Sequence, residues 1–375
     1  MAERAARPRV DESERAALAA LSGLAGVGGK SLDLLRQAYG SLAAAAAQGG
    51  RALASIEGLR ADVVESLQAA PDLEKRGAWL LAKAREIGAT VLTLTEPGYP
   101  PLLAEAPSPP PVLYVLGELD DARRVAVVGS RSSDDYGIDQ ARRLVARLCA
   151  GGVEVVSGGA FGVDQASHER ALELGGRTVA VVGTGLLKPY PADHAALYRR
   201  IAKSGAVVSE FALDGGGQPG HFPRRNRTIA GLSDAVVITR GRATSGALST
   251  CAAAKRAGRE VFAVPGRADE PLAAAPNALL SSGEAKALVT GAEVFRALNL
   301  AVAEPAAEPE KAVVDLSRFS PGAQKLLAAL GPSPRHVDDL AHEAGLDSAQ
   351  ALVELLSLEL SGLCATRPGK YFLRR

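Results

Sequence analysis

The sequence has few residues from which a metal centre or a disulfide framework could be built. Its 375 residues include only three cysteines, Cys149, Cys251 and Cys364, which lie far apart and form no CxxC or Cys/His spacing. Zinc sites and disulfide frameworks depend on such spacings, so neither is expected. Each cysteine is instead predicted to be a small hydrophobic residue of the core.

Long apolar runs are also missing. The first 14 residues are charged and contain no apolar stretch of signal-peptide length, and no later segment approaches the span of a membrane crossing. Hydrophobic residues make up 47% of the chain, which is typical of a globular protein. We therefore expect a cytoplasmic protein of two or three domains with no membrane partner.

No catalytic set can be assembled from the sequence. His168, His194 and His221 lie in different predicted loops, and no nucleophile-elbow or Ser-x-x-Lys motif is present. No run of carboxylates resembles a two-metal nuclease. A GxGxxG spacing is also absent, which argues against a dinucleotide. The sequence thus predicts a binding protein without catalytic residues, metal or cofactor.

The most informative segment is basic. Between Gly220 and Arg267 the chain has nine Lys and Arg against two acids, a net charge of +7 in a chain of +1 overall. A Gly/Pro-rich stretch in front leads to Phe222 and then to the cluster Arg224, Arg225, Asn226 and Arg227. We interpret 215–227 as a loop whose arginines bind phosphate oxygens and whose ring stacks on a base. An Arg-rich segment is more often a solvated surface, but the charge asymmetry favours a nucleic-acid site.

The middle of the chain has the pattern of a parallel sheet. From residue 112 to about 300, short Val-rich runs are each followed by Gly or Ser and then by a helical stretch. Nearly continuous apolar runs are typical of strands buried on both faces. The sequence therefore predicts a Rossmann-like, doubly wound, mostly parallel α/β domain, with strands at 125–128, 153–156, 178–182, 206–209, 235–239 and 261–264.

Glycine-bearing motifs follow several of these strands, where ligands bind in such sheets. They are Gly129-Ser130-Arg131, the segment 157–164 with Gly159, Gly162 and Asp164, the segment 183–185, and the segment 241–250 with Ser245 and Gly246. Backbone N–H groups and hydroxyls at such turns suit a phosphate, with Arg131 as a charged clamp. Asp164 is predicted to cap a helix or orient its neighbours rather than to catalyse.

Two further domains are predicted around this one. Residues 1–96 have Ala and Leu at helical spacing and predict a SAM-like or helix-hairpin-helix-like domain, although the glycine turn at 24–31 also fits a plain turn. Residues 97–300 form the Rossmann-like domain, and the seven prolines of 96–111 predict an extended connector at its start. An Ala/Glu/Pro linker is expected at 301–317.

The last domain, residues 318–375, has the pattern of a winged helix. It predicts helices at 321–330, 337–344 and 348–360, followed by a hairpin. The third helix has no Lys or Arg and carries Glu354 and Glu359, whereas a helix that reads the major groove needs donors. A protein-contact or auxiliary role is therefore favoured over sequence-specific regulation.

Taken together, the motifs resemble the bacterial DNA-processing protein A family, DprA or Smf. The ordered match includes Gly129-Ser130-Arg131, the 157–164 segment, Tyr190-Pro191, Ser209-Glu210, the Phe222 to Ser233 run, Ser245 to Thr250 and Val264-Pro265-Gly266. The resemblance implies a protein that binds single-stranded DNA, protects incoming strands during natural transformation and loads RecA recombinase. It also implies a homodimer without cofactor or turnover. By position, Arg131 becomes the phosphate clamp, Phe222 the stacking residue, and Arg225 to Arg227 part of a basic pocket wall.

A nucleoside-monophosphate phosphoribohydrolase remains the alternative, because that class shares the sheet and a Gly-rich helix start. Such enzymes carry the motif Pro-Gly-Gly-x-Gly-Thr-x-x-Glu, whereas this chain has no Asp or Glu between Gly241 and Arg259. Glycosidic hydrolysis would then lack its general acid or base.

Overall fold

The protein divides into two compact units, Met1–Ala306 and Ala307–Arg375. The structure is a computed structural model that describes residues 10–70, 72–304, 316–331 and 334–374. The first unit contains both the N-terminal helices and the large sheet. Most of the predicted linker at 301–317 lies outside the described residues.

The N-terminal region is helical, as its Ala and Leu spacing predicts. Its helices are α1 (Glu12–Ser22), α2 (Gly29–Tyr39), α3 (Leu42–Ala47), α4 (Gly50–Leu53), α5 (Ala61–Gln68) and α6 (Leu73–Glu86). Helix α1 packs closely on α6 at Gly77, where an added Cβ would lie 2.4 Å from the carbonyl oxygen of Ala16. Leu21, Leu35 and Leu42 are fully buried in the core of this region.

The central element is a nine-stranded sheet. Its strands are β1 (Ala89–Thr93), β2 (Val112–Gly117), β3 (Arg124–Val128), β4 (Glu154–Ser157), β5 (Thr178–Val181), β6 (Ala206–Ser209), β7 (Ala235–Ile238), β8 (Glu260–Ala263) and β9 (Lys286–Ala287). They lie in the order β1-β2-β6-β5-β4-β3-β7-β8-β9. In this order, every neighbouring pair from β6 across to β9 is parallel. The pairs β1–β2 and β2–β6 are antiparallel. The predicted doubly wound, mostly parallel sheet is confirmed.

Two expectations about the start of the sheet are wrong. Residues 89–93 form an edge strand rather than part of the helical region. The sequence did not predict this strand, because β1 is partly exposed and has no continuous apolar run. The proline-rich segment 96–111 is not simply extended. It contains helix α7 (Pro101–Ala104), and Tyr99 and Leu103 are buried in the core beneath the sheet. The Tyr99 hydroxyl donates to the carbonyl oxygen of Pro110 at 2.7 Å.

The chain order of the strands creates a crevice. The remaining helices of this unit are α8 (Asp135–Ala150), α9 (Val163–Glu173), α10 (Ala195–Ser204), α11 (His221–Gly231), α12 (Ala247–Arg256), α13 (Ala274–Ser281) and α14 (Ala292–Ala297). Strands β4 to β6 extend the sheet to one side of β3, and β7 to β9 extend it to the other. The chain continues from β3 towards β4 and from β7 towards β8, in opposite directions along the sheet. This leaves a crevice at the carboxyl ends of β3 and β7, which is the usual ligand site of such sheets.

The second unit has the predicted winged-helix order. It contains α15 (Pro321–Ala329), β10 (Arg335–His336), α16 (Val337–Ala344), α17 (Ser348–Leu360), β11 (Cys364–Arg367) and β12 (Tyr371–Arg374). The strands form an antiparallel sheet in the order β10-β12-β11. Cys251 and Cys364 are buried and Cys149 is half-buried, and none of the three takes part in a disulfide. Within the described residues, no helix is both long and apolar enough to span a membrane.

One histidine is built into the core of the first unit. His168 of α9 is fully buried, and its Nδ1 lies 2.8 Å from Oγ1 of Thr178 on β5. Because that hydroxyl donates its hydrogen to Val155 O at 3.0 Å, Nδ1 must be the donor to Thr178. Nε2 has no hydrogen-bond partner among the described residues. Burial, together with the positive charge of Arg225 and the nearby His194, lowers the pKa of His168 to about 3.

We expect this histidine to make the fold acid-sensitive. In the unfolded chain the ring protonates near its ordinary value of 6.5, so between pH 6.5 and 3 the unfolded state binds more protons. The free energy of unfolding should therefore fall by about 1.4 kcal/mol per pH unit below about 6.5. His168→Asn, which keeps a donor near the Nδ1 position, should flatten this dependence in urea unfolding at pH 7.5, 6 and 5. The control is His342→Asn, at an exposed site, which should leave the pH dependence of the free energy of unfolding unchanged. If His168→Asn has the same pH dependence as this control, the inference is wrong.

Candidate nucleic-acid interface

A cavity of about 300 Å³ lies in the crevice at the carboxyl ends of the strands. It is lined by segments far apart in sequence: Gly129, Ser130 and Arg131 after β3, Ala160 and Asp164 after β4, Phe222, Arg225 and Asn226 of α11, and Arg242, Thr244, Ser245 and Gly246 after β7. The sheet topology therefore brings together most of the residues that the sequence singled out.

The arginine cluster is helical, which corrects the prediction of a loop. Residues 221–231 form α11, so the cluster occupies its first two turns. On a helix, residues three or four apart share a face. Phe222, Arg225 and Asn226 accordingly line the cavity, whereas Arg224 and Arg227 do not.

Arg224 and Arg227 instead line a second cavity of about 340 Å³. Arg224 Nε donates to Glu210 Oε2 at 2.6 Å, and Glu210 also accepts from Thr228 Oγ1 at 2.9 Å. Lys30, which the sequence placed in the glycine turn at 24–31 but which lies in the first turn of α2, lines the same cavity. The sequence cluster is thus divided between two faces of one helix.

Arg225 is a buried connector rather than a surface cation. Its side chain is 6% exposed, and Nη1 donates to the carbonyl oxygens of Gly158, after β4, and Val181, at the end of β5. These bonds fix α11 to two strand ends. Asp164, also buried, is the main nearby anion, and it accepts from Ala160 N at 3.3 Å. Asp164 therefore orients its neighbours, as predicted.

Arg131 and Arg242 are the cations left for a ligand. Both are exposed at the cavity, and neither forms an ion pair within the described part of the chain. The Arg131 guanidinium carbon lies 5.4 Å from the centre of the Phe222 ring. This cation–π contact places a charge and an aromatic face side by side, the combination that binds a phosphate and its base.

The glycine turns allow the close approach of these segments. Gly162 has a φ of +74°, and a Cβ there would lie 2.4 Å from the carbonyl oxygen of Ser130. Any side chain at 162 would therefore push apart the turns after β3 and β4. At Gly159, an added Cβ would meet the Tyr198 ring at 2.7 Å. The Ser130 hydroxyl accepts from Ser132 N at 3.2 Å, inside the Gly129 to Arg131 turn.

The start of α12 forms the opposite wall. Asn226 Nδ2 donates to Ser249 Oγ at 2.7 Å and to Gly246 O at 3.3 Å, which joins α11 to α12. Helix α12 begins beside the cavity with Gly246 as its N-cap, and no side chain caps it. Ser245 Oγ accepts from Ala247 N at 3.3 Å. Leu248 N and Ser249 N are also bonded, to Ser245 O and Gly246 O at 3.1 Å each, so the helix start attracts an anion through its dipole.

The surplus charge of the 220–267 segment is largely compensated by acids from elsewhere. Buried Arg240 pairs with Asp134 and Glu270, each at 2.5 Å. Arg224 pairs with Glu210, Lys255 with Glu284, and Arg267 with Asp269. Net charge counted along the sequence therefore overstates the field, and the cations at the cavity matter more than the total.

The cavity is poor in acid groups. Among its described lining residues, Asp164 is the one carboxylate, and burial raises its pKa, opposed by the charge of Arg225. No group of three or more His, Cys, Asp or Glu in the described residues could hold a metal ion. The phosphoribohydrolase alternative is accordingly not favoured.

Three residues of this region were missed by the site prediction. Arg242 lines the cavity after β7, and its position in the glycine-bearing strand-end loop was the available signal. Phe161 and Tyr190 flank a small cleft beside Phe222. Both are aromatic residues in strand-end loops, which is a signal that the sequence also carried.

Comparison with known proteins decides the family. The model of "DNA recombination-mediator protein A" matches residues 90–299, and that of the "DprA winged helix domain" matches residues 302–370. The chain belongs to the DNA-processing protein A family. The resemblance inferred from the motifs is thereby confirmed.

Members of this family are similar to between about half and nearly all of the chain. Protein Smf of Synechocystis is 31% identical, covering 97% of this chain and 99% of the relative. The DprA of Bacillus subtilis is 36% identical, covering 60% of this chain and 78% of the relative. The solved structure of DprA from Streptococcus pneumoniae aligns with a TM-score of 0.63 at 32% identity, covering 77% and 98%. That of Helicobacter pylori DprA, described for its single-stranded DNA binding mode, aligns with a TM-score of 0.51 at 28% identity, covering 56% and 95%.

We expect Arg225 to be needed for stability rather than to act as a surface contact. Arg225→Met would leave Asp164 buried without its main partner, which should lower the free energy of unfolding by about 3 to 5 kcal/mol. Arg131→Met, at an exposed site, should change it by less than about 0.5 kcal/mol. Urea unfolding measures both.

A double variant separates the charge effect from lost packing. Arg225→Met combined with Asp164→Asn should be less destabilised than the sum of the single variants, by at least about 1 kcal/mol. Strict additivity would show that the two groups do not interact, and equal effects of Arg225→Met and Arg131→Met would contradict the connector role.

Proposed function

We propose that the protein binds single-stranded DNA across the strand-end cavity and acts as a recombination mediator without catalytic turnover. Phosphates lie at Ser130, Arg131 and Arg242 and at the N-terminus of α12, and a base stacks near Phe222. The observation that carries the proposal is the contact of Arg131 with Phe222 at the rim of a cavity poor in acids.

The chemistry of the cavity favours a strand over a duplex or a small metabolite. The half-buried Phe222 ring at the cavity rim can stack on any unpaired base, because every base has a π-face, and duplex bases are already stacked on each other. Arginine donors recognise the repeated phosphate without reading the sequence. The buried Asp164 is turned to Ala160 N and Arg225, so none of the described residues that line the cavity has a carboxylate placed for general acid or base chemistry.

The wider role follows from family membership. We infer that the protein protects incoming strands and loads RecA recombinase during natural transformation, and that it works as a homodimer. Two linked cavities would raise avidity through effective concentration, which suits nucleation of a filament on one strand. The winged-helix unit then serves contacts with protein, since α17 has no Lys or Arg.

Fluorescence anisotropy with labelled oligo-dT over a salt series tests the binding site. Arg131→Ala should lower the affinity and reduce the salt slope by about 0.7, the value for one phosphate contact on a single strand. Phe222→Ala should weaken binding by about 1 to 3 kcal/mol with little change in slope, because stacking releases no counterion.

Arg143→Ala is the matched control, since it also removes an exposed arginine charge, one that pairs with Asp139 on α8. It should leave binding near wild type. If both Arg131→Ala and Phe222→Ala bind like this control, the site assignment is wrong. If the wild type binds no oligonucleotide but cleaves nucleoside monophosphates, the proposed function itself is wrong.

The recombinase role has a separate readout. On DNA coated with single-strand-binding protein, the wild type should accelerate RecA strand exchange, and Arg131→Ala should reduce that stimulation. Sedimentation of the wild type should show a dimer. Strand binding without any stimulation would limit the protein to DNA protection.

A further inference from the structure

Two exposed aromatic rings extend the cavity along the strand ends. Phe161, after β4, is 43% exposed, and Tyr190, after β5, is 50% exposed. Together with Phe222 and Arg131 they line a narrow cleft of about 30 Å³ next to the main cavity. Arg131, Ala160, Phe222 and Arg225 line both spaces, and the contacting side chains of Arg131 and Phe222 form part of the boundary between them.

The Phe161 ring packs on a buried histidine, and the Tyr190 backbone lies against a buried tyrosine of the same hydrogen-bonded group. Phe161 packs edge-on against the His194 ring, with centroids 4.5 Å apart. His194 Nδ1 lies 2.9 Å from Gly159 O, which also accepts from the Tyr198 hydroxyl at 2.9 Å. That hydroxyl lies 2.8 Å from Tyr190 O, and the Tyr190 ring is 5.7 Å from Phe222. A large exposed ring fixed in this way loses little entropy when a ligand stacks on it.

The topology places the loops that carry these residues side by side in a line. Strands β7, β3, β4 and β5 are successive neighbours, and the loops that follow them carry Arg242, Arg131, Phe161 and Tyr190, respectively. Three inter-strand spacings cover about 14 Å. Cations therefore mark one half of the line and aromatic rings the other.

We propose that Phe161 and Tyr190 form a platform on which the bases next to the one at Phe222 stack. The inference rests on the proposed function and extends it. The single strand runs from the loop after β7, over the Arg131–Phe222 boundary, to the ends of β4 and β5. The cleft is too small to hold a base, so the bases lie on the exposed ring faces above it. Charge is supplied by Arg131, and the platform adds stacking without reading sequence.

Four substitutions test the platform by oligo-dT anisotropy. Phe161→Leu and Tyr190→Leu keep apolar bulk but remove the ring, and each should weaken binding at least about five-fold with no change in salt slope. Phe161→Trp and Tyr190→Phe keep a ring, and each should bind like wild type. The matched control is Trp79→Leu, which removes an exposed ring that is also beside an arginine, 4.8 Å from Arg76, but lies on α6.

Photocross-linking locates the bases directly. Oligo-dT with one 5-iodouracil at successive positions should cross-link to Phe161 or Tyr190 at one or more positions, as read by mass spectrometry. The platform is overturned if both leucine variants match Trp79→Leu and every cross-link maps elsewhere, while the wild type binds and Arg131→Ala does not. If the wild type itself fails to bind, the proposed function fails first.

Discussion

The hydrogen bonds of one buried guanidinium organise the site. Arg225 reaches from α11 to the carbonyl oxygens of Gly158 and Val181, and so ties a helix to the ends of two neighbouring strands. These carbonyls are acceptors at positions where the sheet has ended, and a planar cation with several donors satisfies both. Because Arg225 fixes the rotation of α11, it also determines that Phe222 and Asn226 face the cavity.

The same constraint explains why the neighbouring residues of the 224–227 cluster have different structural roles. A helix turns by about 100° per residue, so neighbours in the sequence point in different directions. Arg225 is structural, Asn226 joins α11 to α12, and Arg224 and Arg227 face a second cavity with Glu210. The exposed cations of the cavity are instead Arg131 and Arg242, which come from two other loops.

The cavity combines features that are costly to keep in a fold without a ligand. Exposed cations without ion-pair partners in the described part of the chain and large exposed rings each leave favourable interactions unmade. Their grouping at the switch point of the sheet, where the backbone already turns away on both sides, lets a polyanion satisfy them together. The core beneath, with its fully buried Val125 to Val127 and Val236 to Ile238, keeps these loops in place.

The sequence by itself determined the fold class, the parallel strands, the winged-helix order and the family, because these depend on local apolar periodicity and on short motifs. The sequence also predicted Gly129, Ser130, Arg131 and Phe222 as residues of the cavity, since strand ends and glycine turns can be recognised from the sequence. Only the tertiary structure decided which arginines are exposed. Burial of Arg225, compensation of Arg240 by Asp134 and Glu270, and the alignment of Phe161 with Tyr190 all depend on contacts between segments distant in sequence. No local pattern encodes such contacts, because strand order and helix rotation are set by packing of the whole sheet.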